Sequence, residues 1–510
     1  MFKSSTHSFV HELPLDITPK DDRELDIRLE ASRHLYNACL QQCLRQIALI
    51  RQSRLWRKAR RLSRIEHGKE RKELFKQAKK EYGYSEYQLH TFVAEVRCSC
   101  WLQYHIDSAT AQKTATRAFV SADAYLHGKR GRPRFRGQHR LHSLEGKSNA
   151  TGIRWKEGYL VWNIRGGRSL KIPARFDTKD KYGVQENALK SRVKYCRLIC
   201  KTLRGRKRWY IQLVLEGKAL CKIKAGDDTV GLDIGPSSIA AVSGQSAFLE
   251  AFCQDLTSKE HVIKDIQKKM SRSIRLSNPQ NFNEDKTIKK GPKTWKRSQR
   301  YRIQRNTLAE EKRKLAATRK RLHGELVNRV LQMGKSIRLE KLSYKKFQSS
   351  FGKSVGAKAP GLFVAMLRRK AESAGGAVEE FSTYKTYLSQ TCHCGERHKK
   401  RLSERWHHCG CGVYAQRDLF SAHLARHVLN EHLDTSQAVK SWTATEPLLE
   451  RAVSRLNQLA NRKACLSSFG LGQRQSQSHA KEGSLSIEVA DVVGESRELQ
   501  RDVQFAFRTP

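Results

Sequence analysis

Residues 230–242 read VGLDIGPSSIAAV. Val230, Leu232 and Ile234 alternate with other residues, the two-residue period of a strand. Gly235-Pro236 supplies a turn, and Ile239 to Val242 return as a second apolar run. The unit is a β-hairpin that opens a new domain. Asp233 interrupts its first strand. Aspartate is depleted from strands, and an uncompensated buried carboxylate is costly, so cationic charge is expected beside it.

Downstream of the hairpin, residues 257–297 are polar and basic and read as helix and loop. Residues 298–331 read as one long basic helix. Leu308, Leu315 and Leu322 recur every seven residues, and Leu326 and Val330 continue the stripe. The stripe suits a helical hairpin with the preceding segment, or packing on the rest of the domain. KSIRLEKL at 335–342 reads as a strand with Glu340 at its end. Residues 361–374 form an amphipathic helix stopped by Gly375-Gly376, 378–384 a further strand, and 418–429 a helix opened by Asp418. Upstream, residues 21–126 read as helix, with Ile27, Leu35, Cys39, Cys43 and Ile47 at helical spacing. Strands follow from 151 to 220, among them KRWYIQLVL at 207–215. The fold class is therefore multidomain, α+β and α/β.

The 510 residues carry 99 Lys and Arg against 50 Asp and Glu, a formal charge of +49. Such a chain repels itself unless it meets a polyanion, and nucleic acid is the partner this balance favours. No run approaches the ~18 apolar residues of a membrane span. Residues 1–14 lack a basic region followed by an apolar run, so neither membrane nor secretion is expected. An odd 13 cysteines without such a leader argue against a disulfide framework and for a reducing, cytoplasmic compartment. Cys39, Cys43, Cys98, Cys100, Cys196 and Cys200 read as small buried apolar residues.

Arg54, Arg57, Lys58, Arg60, Arg61 and Arg64 crowd one helical segment, which reads as a phosphate-facing helix. In KRGRPRFRG at 129–137, Lys129, Arg130, Arg132, Arg134 and Arg136 surround Phe135. Backbone contact with one stacked base and a flexible basic linker both remain open. After about residue 430 aromatic residues thin out, and from Ser467 the chain is rich in Ser, Gln and Gly, which reads as disorder.

Three carboxylates stand out: Asp233 in a strand, Glu340 at a strand end and Asp418 at a helix start. Glu340 alone reads as a surface acid, and Asp418 alone as an N-cap. Together they suit a two-Mg²⁺ site for phosphodiester hydrolysis, since Mg²⁺ takes few carboxylates and keeps water and phosphate oxygens. Cys392-x-Cys394, fourteen residues, then Cys409-x-Cys411 gives four thiolates in two close pairs, the ligand count of a structural Zn²⁺. Gly395, Gly410 and Gly412 permit tight turns. His393, His398, His407 and His408 are possible substitute ligands.

GLDIG at 231–235, LEKLS at 339–343, LSQTCHCG at 388–395, LSERWHHCGCG at 402–412 and QRDLFSAHLA at 416–425 together resemble the motifs of the transposon-encoded TnpB nucleases and the related compact type V CRISPR effectors. APGLFVAMLRRKAESAGGAVEEF at 359–381 and SRHLYNACL at 32–40 are similar too. The resemblance implies a RuvC (RNase H-like) nuclease domain with an inserted zinc ribbon, a helical recognition lobe and a β-barrel wedge domain. The wedge would take residues 1–20 and 150–228, and the lobe 21–149. The nuclease would comprise 229–253, 336–386 and 416–432, interrupted by a helical hairpin at 254–335 and the ribbon at 387–415. A largely disordered extension would occupy 433–510.

The same resemblance assigns the metal-binding acids to Asp233, Glu340 and Asp418, and a transition-state arginine to Arg405. It implies a structured guide RNA, and double-stranded target DNA with an adjacent motif, held by one chain or two on one RNA. The setting would be a prokaryotic cytoplasm, at the nucleoid when DNA is bound. The expected activity is Mg²⁺-dependent, RNA-guided DNA cleavage. The competing readings are an RNA-guided binder that represses without cutting, a transposon strand transferase and a plain zinc-containing nucleic-acid binder. The tight cysteine spacing and Gln416 before Arg417 depart from the usual pattern.

Overall fold

The computed structural model describes residues 6–401, 403–460 and 469–471. The chain divides after Leu220 into two compact units.

The first unit opens with strand β1 (Ser8–Pro14), followed by helices α1 (Pro19–Gln52), α2 (Arg54–Arg61), α3 (Gly68–Glu81), α4 (Glu86–Cys98) and α5 (Ser108–Leu126). Thr18 starts α1 with a capping box to Asp21, and Asp107 caps α5. The helical stripe read from the sequence is the buried face of α1, where Leu35, Cys39, Cys43 and Ile47 pack with Trp56, Val93 and Ala115. Ile27 is the exception and is exposed. Cys98 is exposed too, so it is not the buried apolar residue expected; it ends α4, beyond the last buried turn.

Strands β2 (Ser143–Glu145), β3 (Arg154–Lys156), β4 (Tyr159–Trp162), β5 (Leu170–Pro173), β6 (Val193–Leu203) and β7 (Arg206–Glu216), with the short helix α6 (Val184–Lys190), complete the unit. They make one antiparallel sheet in the order β1-β7-β6-β2 and a second in the order β3-β4-β5, around a shared core. A bridge between Leu15 and Ala174 links the two sheets. Among the described residues no ladder joins β3 to β2, so the strands form two sheets linked at that bridge. β2 lies inside the segment read as helical lobe, because Leu144 pairs with Leu198 and its side chain completes the core. Arg28 of α1 is fully buried against this core. Its Nη1 donates to the Trp162 carbonyl (3.1 Å) and its guanidinium lies over the Trp162 ring.

The second unit holds strands β8 (Thr229–Ile234), β9 (Ser238–Val242) and β10 (Ala247–Ala251), helices α7 (Thr257–Leu276) and α8 (Gln299–Met333), and strand β11 (Ser336–Glu340). Helices α9 (Tyr344–Lys358) and α10 (Pro360–Ser373), strand β12 (Ala377–Phe381) and the one-turn helix α11 (Thr383–Thr386) follow. The five strands form one mixed sheet in the order β10-β9-β8-β11-β12. The first three are antiparallel; β11 runs parallel to both β8 and β12. The leucine stripe of α8 serves both purposes considered. Leu308 packs on Ile266 and Met270 of α7, and Leu322, Leu326 and Val330 enter the core of the sheet with Val230, Ile337 and Phe363.

Beyond α11 come the hairpin β13 (Trp406–His408) and β14 (Tyr414–Gln416), helix α12 (Arg417–Arg426), the short pair β15 (Val428–Leu429) and β16 (His432–Leu433), and helices α13 (Thr435–Lys440) and α14 (Trp442–Ala460). The last two helices give regular structure to 435–460, the first part of the 433–510 extension expected to be largely disordered. Leu448, Leu449, Ala452, Val453 and Leu456 of α14 bury against Ala247 and Leu249 of β10, Val413 and Ala415. Most of the segment from Ser467 lies outside the described residues. Among the described residues no helix is long and apolar enough to cross a membrane.

Candidate metal centres and nucleic-acid surfaces

Parallel pairing of β11 with β8 runs from Ser336–Thr229 to Leu339–Leu232. One step further, the same register sets Glu340 beside Asp233. Asp418 arrives from α12, which lies across this sheet. Its approach depends on Gly231: a Cβ there would stand 1.8 Å from the Ala422 carbonyl oxygen. This is the physical reason for a glycine two residues before the aspartate. Ser238, at the start of β9, donates from Oγ to Asp418 Oδ2 (3.0 Å).

Asp418 does not cap its helix. Gln416 is the N-cap and accepts from the Leu419 amide (2.9 Å), which leaves the Asp418 carboxylate to face Ser238. Burial, followed by the Asp418 and Glu340 carboxylates, pushes Asp233 well above the ordinary aspartate range; Arg417 and Arg405 act in the opposite sense. These two arginines are the cationic charge the strand reading required. Burial alone pushes Glu340 up to about 7. A divalent cation among these oxygens would relieve the cost of ionising Asp233 and Glu340, and hard carboxylate oxygens fit Mg²⁺.

Arg417 is itself mostly buried, with its Nη1 on the Arg401 carbonyl (3.1 Å) and its Nε 3.9 Å from Asp418 Oδ1. Its backbone amide donates to the Arg405 carbonyl (2.8 Å). That bond ties the predicted arginine of the β13 segment to the first turn of α12.

The four cysteines meet as the spacing required. Cys392 Sγ lies 3.5 Å from Cys411 Sγ and Cys394 Sγ 3.6 Å from Cys409 Sγ, and all four lie within 4.8 Å of one another. Tetrahedral thiolates about 2.3 Å from zinc sit ~3.8 Å apart, so the set fits Zn²⁺. The tight spacing is absorbed by two matching turns. Gly395 donates to the Cys392 carbonyl and Gly412 to the Cys409 carbonyl, both glycines at φ near +95°.

The four histidines divide. His398 stays beside the thiolates with Glu396 and Cys409, and His408 is exposed. His407 turns inward, stacks on Phe420 of α12 (4.3 Å between centroids) and is driven down to about 3 by burial. His393 packs edge-on against Phe420 and Trp442. These two join the ribbon to the helix that carries Asp418. On the opposite side, Trp406 Nε1 donates to the Gly470 carbonyl (2.9 Å).

The basic candidates lie in the first unit. Arg54, Arg57, Arg60 and Arg61 project to solvent from α2 while Trp56 and Ala59 bury its other face. Lys129, Arg130, Arg132, Arg134 and Arg136 line an exposed loop in which Phe135 is 53 % exposed. The loop is fastened to α1 at its far end. Arg136 N donates to Asn37 Oδ1 (2.8 Å), Asn37 Nδ2 returns a bond to the Arg136 carbonyl (2.9 Å), and His139 N donates to Glu30 (2.7 Å). A floppy linker does not describe it.

Sequence reasoning missed Ser238, the supporting role of Arg417, and helix α9. Ser354 of α9 donates to the Pro236 carbonyl in the turn after Asp233 (2.5 Å). The pair Ser237-Ser238 directly after GLDIGP was the available signal for the first.

Residues 361–424 match the family model described as Cas12f1-like, TNB domain. The matched segment holds α10 from its second residue, β12, all four cysteines, Arg405 and Asp418. Among solved structures, the chain is similar to one described as "Cryo-EM structure of the Cas12f1-sgRNA-target DNA complex", with TM-score 0.40 and 10 % identity over 82 % of this chain and 98 % of that one. It is also similar to "Cryo-EM structure of CRISPR-Cas12f Ternary Complex", with TM-score 0.28 and 11 % identity over 79 % and 81 %. No curated protein matches.

Proposed function

We propose that this chain, a relative of the compact type V CRISPR effectors and TnpB-like proteins through its Cas12f1-like TNB segment, is an RNA-guided DNA endonuclease. The observation that carries the reading is the convergence of Asp233, Glu340 and Asp418 from β8, β11 and α12 beside a four-cysteine ribbon. The mixed sheet, three antiparallel strands followed by two parallel ones, supports the RuvC-like reading of these motifs.

Asp233, Glu340 and Asp418 would hold two Mg²⁺ ions, which supply an activated water and charge stabilisation at the leaving oxygen. The chain's own residues prepare that site. Ser238 fixes the rotamer of Asp418 through its hydrogen bond. Arg417 balances the acids while staying tied to backbone. Arg405, held against α12 through its carbonyl, supplies positive charge for the pentavalent phosphate as charge builds there. Cys392, Cys394, Cys409 and Cys411 would bind one structural Zn²⁺, whose role is to hold the β13 segment and thus Arg405 in place.

In the first unit, the exposed arginines of α2 and the anchored loop at 129–136 would contact phosphates, with Phe135 available to one base. Guide pairing would read sequence, and the protein would read shape and a short adjacent motif. The test is to express the chain with its flanking locus, sequence the RNA that copurifies, and incubate the complex with Mg²⁺ and a plasmid bearing the matching target behind a randomised flank. Cleavage at the target with a flank preference supports the reading. Target binding without cleavage favours the repressor. Absence of any bound RNA excludes the guided mechanism.

A further inference from the structure

The α7–α8 hairpin carries its charge unevenly. Along the shaft of α8 half of the cations have carboxylate partners: Arg313 pairs with Glu310, Lys314 with Glu311, Arg321 with Glu325 and Arg329 with Glu250. At the tip, residues 277–302 hold eight lysines and arginines against two acids. One of those acids, Asp285, is engaged by the amide and hydroxyl of Thr287. Lys286, Lys289, Lys290 and Lys296 are all exposed. None of them pairs with a carboxylate among the described residues.

This tip is a built structure. Asn278 is fully buried, and its Nδ2 donates to the carbonyls of Ile274 and Lys296 (2.8 Å each) while its Oδ1 accepts from the Lys296 amide (2.6 Å). Asn281 Nδ2 holds the Thr294 carbonyl (2.8 Å). Phe282 bridges Ile288 and packs edge-on against Trp295 (5.7 Å). The lysine backbone positions are therefore set in advance, so fewer degrees of freedom must be ordered when a ligand binds.

The tip also stands apart from the acids. Leu256 at the base of α7 packs in the core of the sheet, and the 20 residues of α7 then span about 30 Å to the tip. The chemistry of the tip selects among polyanions. No aromatic ring at residues 277–302 is exposed, so nothing there stacks unpaired bases as single-strand binders do. The tip loop is not an α-helix or two-stranded ribbon of the kind that enters the wide major groove of B-form DNA. Exposed lysines are flexible point charges suited to phosphates, and the narrow major groove of A-form RNA brings the phosphates of its two strands close together.

We infer that the tip of the α7–α8 hairpin is a docking point for the phosphate backbone of a double-helical segment of the guide RNA. The inference rests on the guided reading above.

The test compares the full chain with the variant Lys286→Gln, Lys289→Gln, Lys290→Gln and Lys296→Gln, and with the four corresponding Lys→Arg changes. The probe is the RNA that copurifies with the wild-type chain, titrated across 50–300 mM salt. The Gln variant is expected to bind about 10- to 100-fold more weakly near 150 mM salt. Its slope of log affinity against log salt should be shallower by about 3 to 4, near 0.9 per lost phosphate contact. The Arg variant should retain both. A photocrosslinker at position 289 should label a base-paired region of the RNA. Unchanged RNA affinity and slope in the Gln variant would overturn the inference while leaving the guided reading standing. So would a loss confined to target DNA. Failure of the wild-type chain to carry any RNA would instead remove the reading beneath it.

Discussion

The second unit holds two clusters of candidate metal ligands that are assembled in opposite ways. The thiolates come from twenty consecutive residues, 392–411, folded by two glycine turns, and they need little of the remaining protein to meet. The carboxylates come from residues 185 positions apart in the chain, and they meet only because β8, β11 and α12 pack as they do. The ribbon is a local solution whose stability would come from its metal. The acid cluster is a global solution, in which the fold forces like charges together against their repulsion and holds them there. One consequence is that damage to the ribbon should be local and damage to the sheet should propagate.

The largest expected effect is on the chemistry. Asp418→Asn keeps the side chain's size and a hydrogen-bond acceptor for Ser238 but removes the charge. Target cleavage should fall at least about 10³-fold with RNA and target binding changed less than about 3-fold, as read by single-turnover cleavage and equilibrium binding. A comparable loss of binding would mean that the acid cluster is structural.

Next comes the ribbon. Cys392→Ser combined with Cys409→Ser should reduce bound zinc from one per chain to none, by elemental analysis, and lower cleavage about 10- to 100-fold. Thermal unfolding of the first unit should be unaltered. Retained zinc would sink the four-thiolate assignment.

Gly231→Ala sharpens the contrast from the other side. The added methyl would collide with the Ala422 carbonyl, lifting α12 from β8. Stability should drop by about 3 kcal/mol, measured by denaturant unfolding, and zinc should remain bound.

The smallest effect has the opposite sign. Glu340 has a folded pKa of about 7 against an ordinary 4.5, so the folded protein retains a proton that the unfolded chain releases. Stability in chelator should then fall as pH rises from about 4.5 through 7. Glu340→Gln should weaken that dependence, leaving the part due to Asp233, and stabilise the protein at pH 8 by about 1–2 kcal/mol. Added Mg²⁺ should reverse the ranking by stabilising only the wild type. A variant less stable than wild type in chelator at pH 8 would contradict the strained-cluster account.

The same contrast explains which features are legible in the sequence. Cysteine spacing is a local signal, and by itself it points to the ribbon. The β8–β9 hairpin is legible because its apolar alternation and Gly-Pro turn lie in one short stretch. That Asp233, Glu340 and Asp418 share a site cannot be read from spacing; it comes from resemblance to a family, and the strand register supplies the physical reason.

Helix α9, YKKFQSSFGKSVGAK, has too few apolar residues to mark a stripe. Helix α14 is easily misread because aromatic residues thin out there, although Leu448, Leu449, Ala452, Val453 and Leu456 recur at helical spacing. The anchoring of the basic loop is equally hidden, since Asn37 and Arg136 are 99 residues apart. The strand order of the first unit depends on long-range pairing, which composition does not report.

The central claim is that the three acids of the sheet cut DNA that a bound RNA selects. The most direct measurement sets the RNA-loaded chain beside its Asp233→Ala variant on a target plasmid in Mg²⁺, with target binding followed in parallel. The account predicts target-specific cleavage by the wild type and binding without cleavage by the variant. Equal cleavage by both, or tight target binding with no cleavage by either, would contradict it.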